Sequence, residues 1–462
     1  MLPIPPLALD LAHAVRDRGG RALIVGGWVR DRILGLDAKD LDIEVFGLAP
    51  AVLRALLEQF GTINAVGEAF TVYKVGDLDV SLPRRESKTG RGHKAFSVEG
   101  DPTLSFAEAA RRRDFTINAM SLDPLTGELI DPWGGQDDLR ARVLRVVDPA
   151  TFADDSLRVL RALQFAARFD LVVNEATKAL CRSLPLDDLP AERIWGEVEK
   201  LLLRAPRPSV GLALALELGV VVRLWPELLA LVGCEQEFEW HPEGDVWVHT
   251  LMVADQARTR IDDLDHPRAV TMMLSALCHD MGKPATTKFE DGRIRSKGHE
   301  EAGVAPASLF LDRLNIHTID GYDVRRTVLG IVAHHLKPSM FFKSPTPVSD
   351  GAFRRLALKV DPELLARFAK ADCHGRTGTF DCSAMDWFIE RARALGVEHQ
   401  PPAPLVLGRH VLALGVPPGP AVGTLLKAVY ERQLDGEVTT LEEGLASLRT
   451  LRGRWLLGKD LT

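Results

Sequence analysis

A glycine pair and two closely spaced carboxylates are the first residues in this chain whose types and spacing could do chemistry. Gly26-Gly27-Trp28-Val29-Arg30-Asp31 follows the apolar run Ala22-Leu23-Ile24-Val25, and Lys39-Asp40-Leu41-Asp42-Ile43-Glu44-Val45-Phe46-Gly47 comes soon after. The apolar run reads as a buried strand entering a turn. Glycines there let backbone N–H groups approach a polyphosphate closely, and Arg30 adds a positive fork. Alternation along the second segment projects Asp40 and Asp42 from one face of a strand, roughly 7 Å apart. Carboxylates forced together repel unless they share a cation, and oxygen-only ligands favour Mg²⁺ held jointly with substrate phosphates. A phosphate cradle beside an Asp-x-Asp clamp implies nucleotidyl transfer.

A second constellation lies downstream. His249 occurs in Trp240-His241-Pro242-Glu243-Gly244-Asp245-Val246-Trp247-Val248-His249-Thr250, His279-Asp280 in Leu277-Cys278-His279-Asp280-Met281-Gly282-Lys283, and Asp372 in Lys370-Ala371-Asp372. Imidazoles and carboxylates together suit a divalent transition metal such as Ni²⁺, Mn²⁺ or Fe²⁺. Such an ion lowers the pKa of bound water for attack on phosphorus. His299 and His334-His335 flank the set.

Five segments in order carry a family resemblance. The glycine and Asp-x-Asp segments come first, then Arg112-Arg113-Asp114-Phe115-Thr116-Ile117-Asn118-Ala119-Met120 and Asp131-Pro132-Trp133-Gly134-Gly135-Gln136-Asp137-Asp138-Leu139. Asp154-Asp155-Ser156-Leu157-Arg158-Val159-Leu160-Arg161 and Glu192-Arg193-Ile194-Trp195-Gly196-Glu197 complete the series. The chain resembles class II tRNA nucleotidyltransferases, the CCA-adding enzymes of the polymerase-β-like superfamily, in the bacterial form with an HD domain. The resemblance covers nearly the whole chain.

It implies an α+β head, an all-α neck, an HD domain and a small helical tail. It also implies addition of CCA to tRNA from CTP and ATP, with Asp79 as a third acid on an adjacent strand. Gly27, Arg30 and Arg113 would contact the triphosphate or its neighbourhood, and Asp114 would lie near the ribose. Asp155 and Arg158, three apart and read as sharing a helix face, would serve as a protein template for the base, with Arg161 and Gln164 beside the nucleotide. Asp154 stands where the family has Glu and Gln164 where many relatives have Arg, departures that bear on base preference. The His249, His279, Asp280 and Asp372 set resembles HD phosphohydrolases, which implies phosphatase, 2′-nucleotidase and 2′,3′-cyclic phosphodiesterase activities. An A-only adder, a bacterial poly(A) polymerase, or a phosphohydrolase with an RNA-binding head are the rival readings. The basic, glycine-containing loop from Arg84 to Lys94 counts against a CC-only enzyme.

These groups need elements to hold them. The chain has 462 residues, 46% hydrophobic and 26% charged, enough for about three domains with their own cores. Its five cysteines (Cys181, Cys234, Cys278, Cys373, Cys382) are scattered without a C-x-x-C pair. They predict free thiols and a cytoplasmic location. No signal peptide or membrane span is legible. Net charge is −7, with 57 basic and 64 acidic residues, so RNA binding must use a local basic surface. Arg84, Arg85, Lys88, Arg91 and Lys94 form one.

Periodicity predicts helices at Leu7–Arg18, Arg30–Leu36, Pro50–Phe60 and Phe106–Arg113, and strands at Ala22–Val25 and Leu41–Phe46. Further strands are read at Thr71–Val75 and Leu78–Leu82, paired across Gly76-Asp77, with a hairpin over Leu122–Ile130. Helical spacing dominates from Asp154 onward. The expected divisions are residues 1–147 (head), 148–206 (neck), 207–395 (HD domain) and 403–462 (tail), with Gln400-Pro401-Pro402-Ala403-Pro404 as a linker.

Overall fold

The structure, a computed structural model, describes residues 4–38, 40–61, 63–66, 72–88 and 96–456. Lys39, Thr71, Gly90, Arg91, Gly92 and Lys94 lie outside the described residues, as does the Lys88 side chain. Two compact units divide the chain, Met1–Leu224 and Trp225–Thr462.

In the first unit, helices α1 (Pro6–Arg16), α2 (Gly27–Ile33) and α3 (Pro50–Leu57) interleave with strands β1 (Arg21–Val25) and β2 (Leu41–Phe46). Then come β3 (Asn64–Val66), β4 (Val72–Val75), β5 (Leu78–Ser81), β6 (Arg84–Lys88), β7 (Phe96–Gly100) and α4 (Phe106–Arg111). β8 (Ser121–Leu122), β9 (Leu129–Ile130) and α5 (Gly135–Arg140) complete the head. Among the described residues, seven strands form one sheet in the order β3-β4-β5-β2-β1-β8-β9. β2 and β5 run parallel, and the other neighbours are antiparallel.

Alternation explains β1 and β2: Leu23, Ile24, Ile43 and Val45 are fully buried, while Asp42 alone on β2 is exposed. Gly26 stops β1 at φ +76°, a conformation glycine takes without a Cβ penalty. α2 therefore begins at Gly27, three residues earlier than the periodicity predicts. The segment read as a basic loop starts as a strand, because Arg84–Lys88 pairs antiparallel with Phe96–Gly100.

α6 (Pro149–Phe152) leads into the neck helices α7 (Leu157–Phe169), α8 (Glu175–Ser183), α9 (Ala191–Arg204) and α10 (Pro208–Glu217). α7 packs on both α9 and α10. Close approach there depends on Gly211, where a Cβ would stand 2.5 Å from Leu201 Cδ1 and 2.8 Å from the Leu163 carbonyl. α10 thus belongs with the neck's compact unit.

The second unit is helical, with two short hairpins at Lys288–Glu290/Arg293–Arg295 and Thr318–Ile319/Tyr322–Asp323. Its last helices, Gly408–Ala413, Pro420–Asp435 and Leu441–Leu456, enclose a small core of Val411, Leu425, Val429, Leu448 and Leu451. Arg355 ties this part to helix Asp350–Ala357 through Glu431 at 2.9 Å and Asp435 at 2.6 Å.

The cysteine reading needs correction. Cys373 and Cys382 are joined in a disulfide, and Cys181, Cys234 and Cys278 are free. After helix Pro362–His374 the chain reverses through Gly375–Gly378, returning Cys382 to a Cα–Cα distance of 6.0 Å from Cys373. Sequence spacing alone does not reveal that reversal. No helix among the described residues is long and apolar enough to cross a membrane.

Candidate transfer and metal sites

The sheet register builds the first site. Asp42 pairs directly with Asp79 across parallel β2 and β5, and Asp40 stands one residue before β2. Lys74 on β4 reaches Asp79 at 3.3 Å. Desolvation pushes the Asp42 carboxyl up from its ordinary value, and the charges of Asp79, Asp40 and Glu44 add to the rise while Arg113 opposes it. Carboxylates brought together in this way fit a cation shared between them.

Glu44, two residues along β2 and buried, binds Arg112 at 2.5 Å and Arg113 at 3.5 Å. Arg113 also lies against Gly26, where a Cβ would meet Nη1 at 2.7 Å. Any side chain at Gly26 would therefore displace this guanidinium. Arg113 thus sits between the glycine turn and the Asp42 strand.

Arg30 is placed differently from a phosphate fork. It is 4% exposed, donates to Asp31 Oδ1 at 2.8 Å and Asn118 Oδ1 at 2.5 Å, and stacks on Phe169 at 4.3 Å. Asn118 in turn donates to Asp114 at 3.0 Å, and Arg161 Nε donates to the other Asp114 oxygen at 2.7 Å. Arg161 continues to Glu197 on α9 at 3.7 Å. A polar chain therefore ties α2 to the neck helices. Burial works against the Asp114 charge, but Arg161, Asn118 and the Phe115 N–H hold its carboxyl below the ordinary range. Residues 131–139 support this chain: Asp138 accepts from Thr116 Oγ1 at 2.6 Å, and a Cβ on Gly135 would stand 2.3 Å from the Thr116 carbonyl.

The Asp155–Arg158 pair is not on a shared helix face. α7 begins at Leu157 with Ser156 as its N-cap, so Asp155 precedes it. Arg193, on α9, grips Asp155 with two bonds of 3.2 and 2.8 Å. Arg158 donates to the carbonyls of Thr151 (2.7 Å) and Arg112 (2.6 Å). The local i,i+3 expectation fails because α7 starts at Leu157, after Asp155. A cleft of about 270 Å³ is lined by Arg84, Arg85, Arg111, Arg112, Arg158 and Asp154, among others. Gln164 is 2% exposed, and its Oε1 has no hydrogen-bond partner.

The second site is tighter. Asp245 caps helix Val246–Arg258 by accepting the Val248 N–H, which sets His249 on its first turn. His279-Asp280 follows helix His266–Cys278, and Asp372 lies in Pro362–His374. His249 Nε2 is 3.0 Å from Asp372 Oδ1, and His279 Nε2 is 3.1 Å from Asp280 Oδ2. The structure adds His299 and His335, which sequence reasoning left at the margin. His299 Nε2 lies 3.4 Å from Asp280 Oδ1 and 3.2 Å from His335 Nε2. Gly282 permits this, since a Cβ there would meet the His299 carbonyl at 2.0 Å. Among the described residues, donor atoms gather in three sets, His241/Glu243/His249, His249/His279/Asp372 and Asp280/His299/His335.

The Nδ1 atoms of His279, His299 and His335 face the carbonyls of Ala276, Ser296 and Val332 at 3.1, 2.7 and 2.8 Å. That fixes each Nε2 inward as a ligand edge. His279 Nε2 and Asp280 Oδ2, both buried and 3.1 Å apart, are not aligned to hydrogen-bond with each other, as two ligands of one cation would be. Burial presses His249 toward its neutral form, yet Asp372 and Glu243 push it up to about 9. Burial, with His299 and His279 nearby, lowers His335 to about 4. Against burial, His279 and Lys283 hold Asp280 well below the usual carboxylate range, and His249 and His279 do the same for Asp372. Anionic carboxylates gathered with several imidazoles in one cavity fit a divalent transition metal.

Comparison with known proteins places both sites in a family. Residues 22–145 match the poly A polymerase head domain and residues 246–372 the HD domain. A "Multifunctional CCA protein" of Stenotrophomonas maltophilia is 38% identical, covering 78% of this chain and 87% of that protein. The chain belongs to the multifunctional CCA protein family. A second member, from Pasteurella multocida, is 37% identical over 77% of this chain and 84% of its own. Among solved structures, the Bacillus stearothermophilus CCA-adding enzyme with CTP matches at TM-score 0.66 and 23% identity, covering 98% of this chain and 100% of that one. The Thermotoga maritima CCA-adding enzyme complexed with tRNA matches at TM-score 0.57 and 20% identity, covering 97% and 96%. The shared fold is the polymerase-β-like head followed by helical domains.

Proposed function

We propose that this chain completes the CCA end of tRNA from CTP and ATP without a nucleic-acid template, and that its HD domain is a metal-dependent phosphohydrolase. The observation that carries the first part is the register of Asp42 against Asp79 with Asp40 adjacent. Three carboxylates there suit Mg²⁺, which supplies charge neutralisation on the phosphates and on the attacking 3′-hydroxyl. The protein's own residues do the rest by positioning. Arg113, against Gly26, meets the triphosphate, and the arginine-lined cleft receives nucleotide and RNA phosphates. Arg30 acts from within the head, through Asn118 and Asp114, rather than at the phosphates. Asp155 and Arg158 present an acceptor and a donor to the base, each fixed from behind by Arg193 or by backbone carbonyls. Arg161 and Gln164 stand behind them in the neck. The relatives' names favour CCA addition over A-only or poly(A) synthesis. The finer division is a head (1–147), a neck from 148 that takes in α10 beyond the expected limit of 206, an HD domain through 395 and a tail (403–462), in a protein of the cytoplasm.

In the HD domain, His249, His279, Asp280 and Asp372 hold a divalent transition metal, Ni²⁺, Mn²⁺ or Fe²⁺, joined by His299 and His335. Its substrates are phosphoesters such as 2′,3′-cyclic nucleotides. One experiment tests both activities: wild type, Asp42→Ala and His279→Ala are incubated with tRNAs ending before CCA, after C and after CC, and with 2′,3′-cyclic AMP. Asp42→Ala should lose nucleotide addition alone, and His279→Ala hydrolysis and bound metal alone. Addition at near wild-type rate by Asp42→Ala would place transfer elsewhere.

A further inference from the structure

We propose that His241 is the general acid of the phosphohydrolase site, aimed by Glu243; this rests on the hydrolase reading above. His241 lines the same cavity, about 230 Å³, as Asp280, His299, His335 and Asp372. Its ring stands 4.7 Å, edge to face, from that of His249. Glu243 is the hinge of the arrangement. Its side chain is 1% exposed, and Oε1 lies 2.9 Å from both His241 Nδ1 and His249 Nδ1. The other oxygen accepts the Thr377 N–H at 3.1 Å. A carboxylate only accepts, so His241 donates through Nδ1 and turns its Nε2 edge to the cavity. One buried acid thereby contacts both a metal ligand, His249, and a second imidazole, His241.

Hydrolysis of a ribose phosphoester needs such a group. As water attacks, a new P–O bond forms and the bond from phosphorus to the ribose oxygen breaks. The electron pair stays on that oxygen, a poor leaving group unless it is protonated. His241 Nε2 gives it the proton, Glu243 stabilises the imidazolium beforehand, and the proton released by the attacking water restores His241 after turnover.

The test uses the full chain loaded with Ni²⁺ or Mn²⁺ and two substrates. One, 2′,3′-cyclic AMP, expels an alkoxide; the other, bis(p-nitrophenyl) phosphate, expels a stable phenolate. His241→Gln should slow the first by about 10²–10⁴-fold and the second far less, with metal content and CCA addition at wild-type level. Imidazole in the buffer should restore part of the activity of His241→Gly toward the cyclic nucleotide. Equal slowing on both esters, loss of bound metal, or no slowing on either would overturn the assignment, pointing to a base, a ligand or a bystander. If loaded wild type hydrolyses neither ester, the hydrolase reading itself fails and this one with it.

Discussion

Removing Arg193 should loosen base selection by freeing Asp155, to which its guanidinium is bonded. The two residues are 38 apart in sequence and joined by bonds of 3.2 and 2.8 Å, with side chains 29% and 26% exposed. Hydrogen bonds between charged groups contribute roughly 1.5–3 kcal/mol when shielded. Partial exposure brings this pair toward the lower end, about 1.5 kcal/mol. Asp155 lies two residues before α7 and accepts the Leu157 N–H through Oδ1 at 3.2 Å. Arg193 and the Leu157 N–H therefore share its orientation, with Arg193 also reaching Oδ2. If Asp155 reads the base, Arg193→Ala should lower discrimination of CTP and ATP against UTP and GTP by roughly tenfold, the equivalent of about 1.4 kcal/mol. The assay is competition among the four nucleotides on tRNA lacking CCA, run for Arg193→Ala, Asp155→Ala and the double variant. The double variant should be little worse than Asp155→Ala alone, because the second change removes a group already without its partner. Additivity within about 0.3–0.5 kcal/mol, or wild-type base ratios in Arg193→Ala with slowed catalysis, would refute the reasoning and leave the pair as a structural tie.

Other expectations follow from the same geometry. Gly26→Ala should nearly abolish nucleotide addition while leaving hydrolysis of 2′,3′-cyclic AMP intact. It forces a Cβ into φ +76° and to within 2.7 Å of the Arg113 guanidinium, so kcat should fall more than tRNA binding in a filter assay. Asp114→Asn should destabilise the first unit at neutral pH, near or below the low end of the ~3–5 kcal/mol for breaking a buried pair, because Arg161 is 32% exposed. Asp114's folded pKa is depressed below its ordinary 3.8, so its stabilisation is present above that value and lost as pH falls through the folded one. Urea melts should show the gap to wild type closing only below about pH 4; a gap constant down to pH 2 would remove the ion pair as its cause. Gly282→Ala should cost the HD domain its metal, since a Cβ would stand 2.0 Å from the His299 carbonyl, and elemental analysis after dialysis would check it.

Much of this protein is written locally, and those parts could be read without coordinates. β2 falls at Leu41–Phe46 as its alternation requires, and α3 starts at Pro50 as an N1 proline requires. The hairpin over Thr126-Gly127 and the strand pair across Gly76-Asp77 follow from turn chemistry. Asp40, Asp42 and the His-Asp pair announce themselves because metal chemistry restricts residue type. What the tertiary structure alone decided are pairings between distant segments. The Asp42–Asp79 register depends on a parallel crossover, and neither strand encodes its partner's alignment. Arg30 has a phosphate-binding residue's type and position, but Asp31, Asn118 and Phe169 enclose it. Asp155 and Arg158 do not share a helix face, because α7 starts at Leu157, and Asp155 pairs instead with Arg193 from a distant helix. His299, His335 and His241 join the HD cavity only through helix packing, and the Cys373–Cys382 bond needs a chain reversal. Periodicity and side-chain chemistry act over a few residues, so sequence discloses them; which distant side chains meet is set by how whole elements pack, and no short stretch of the chain contains that information.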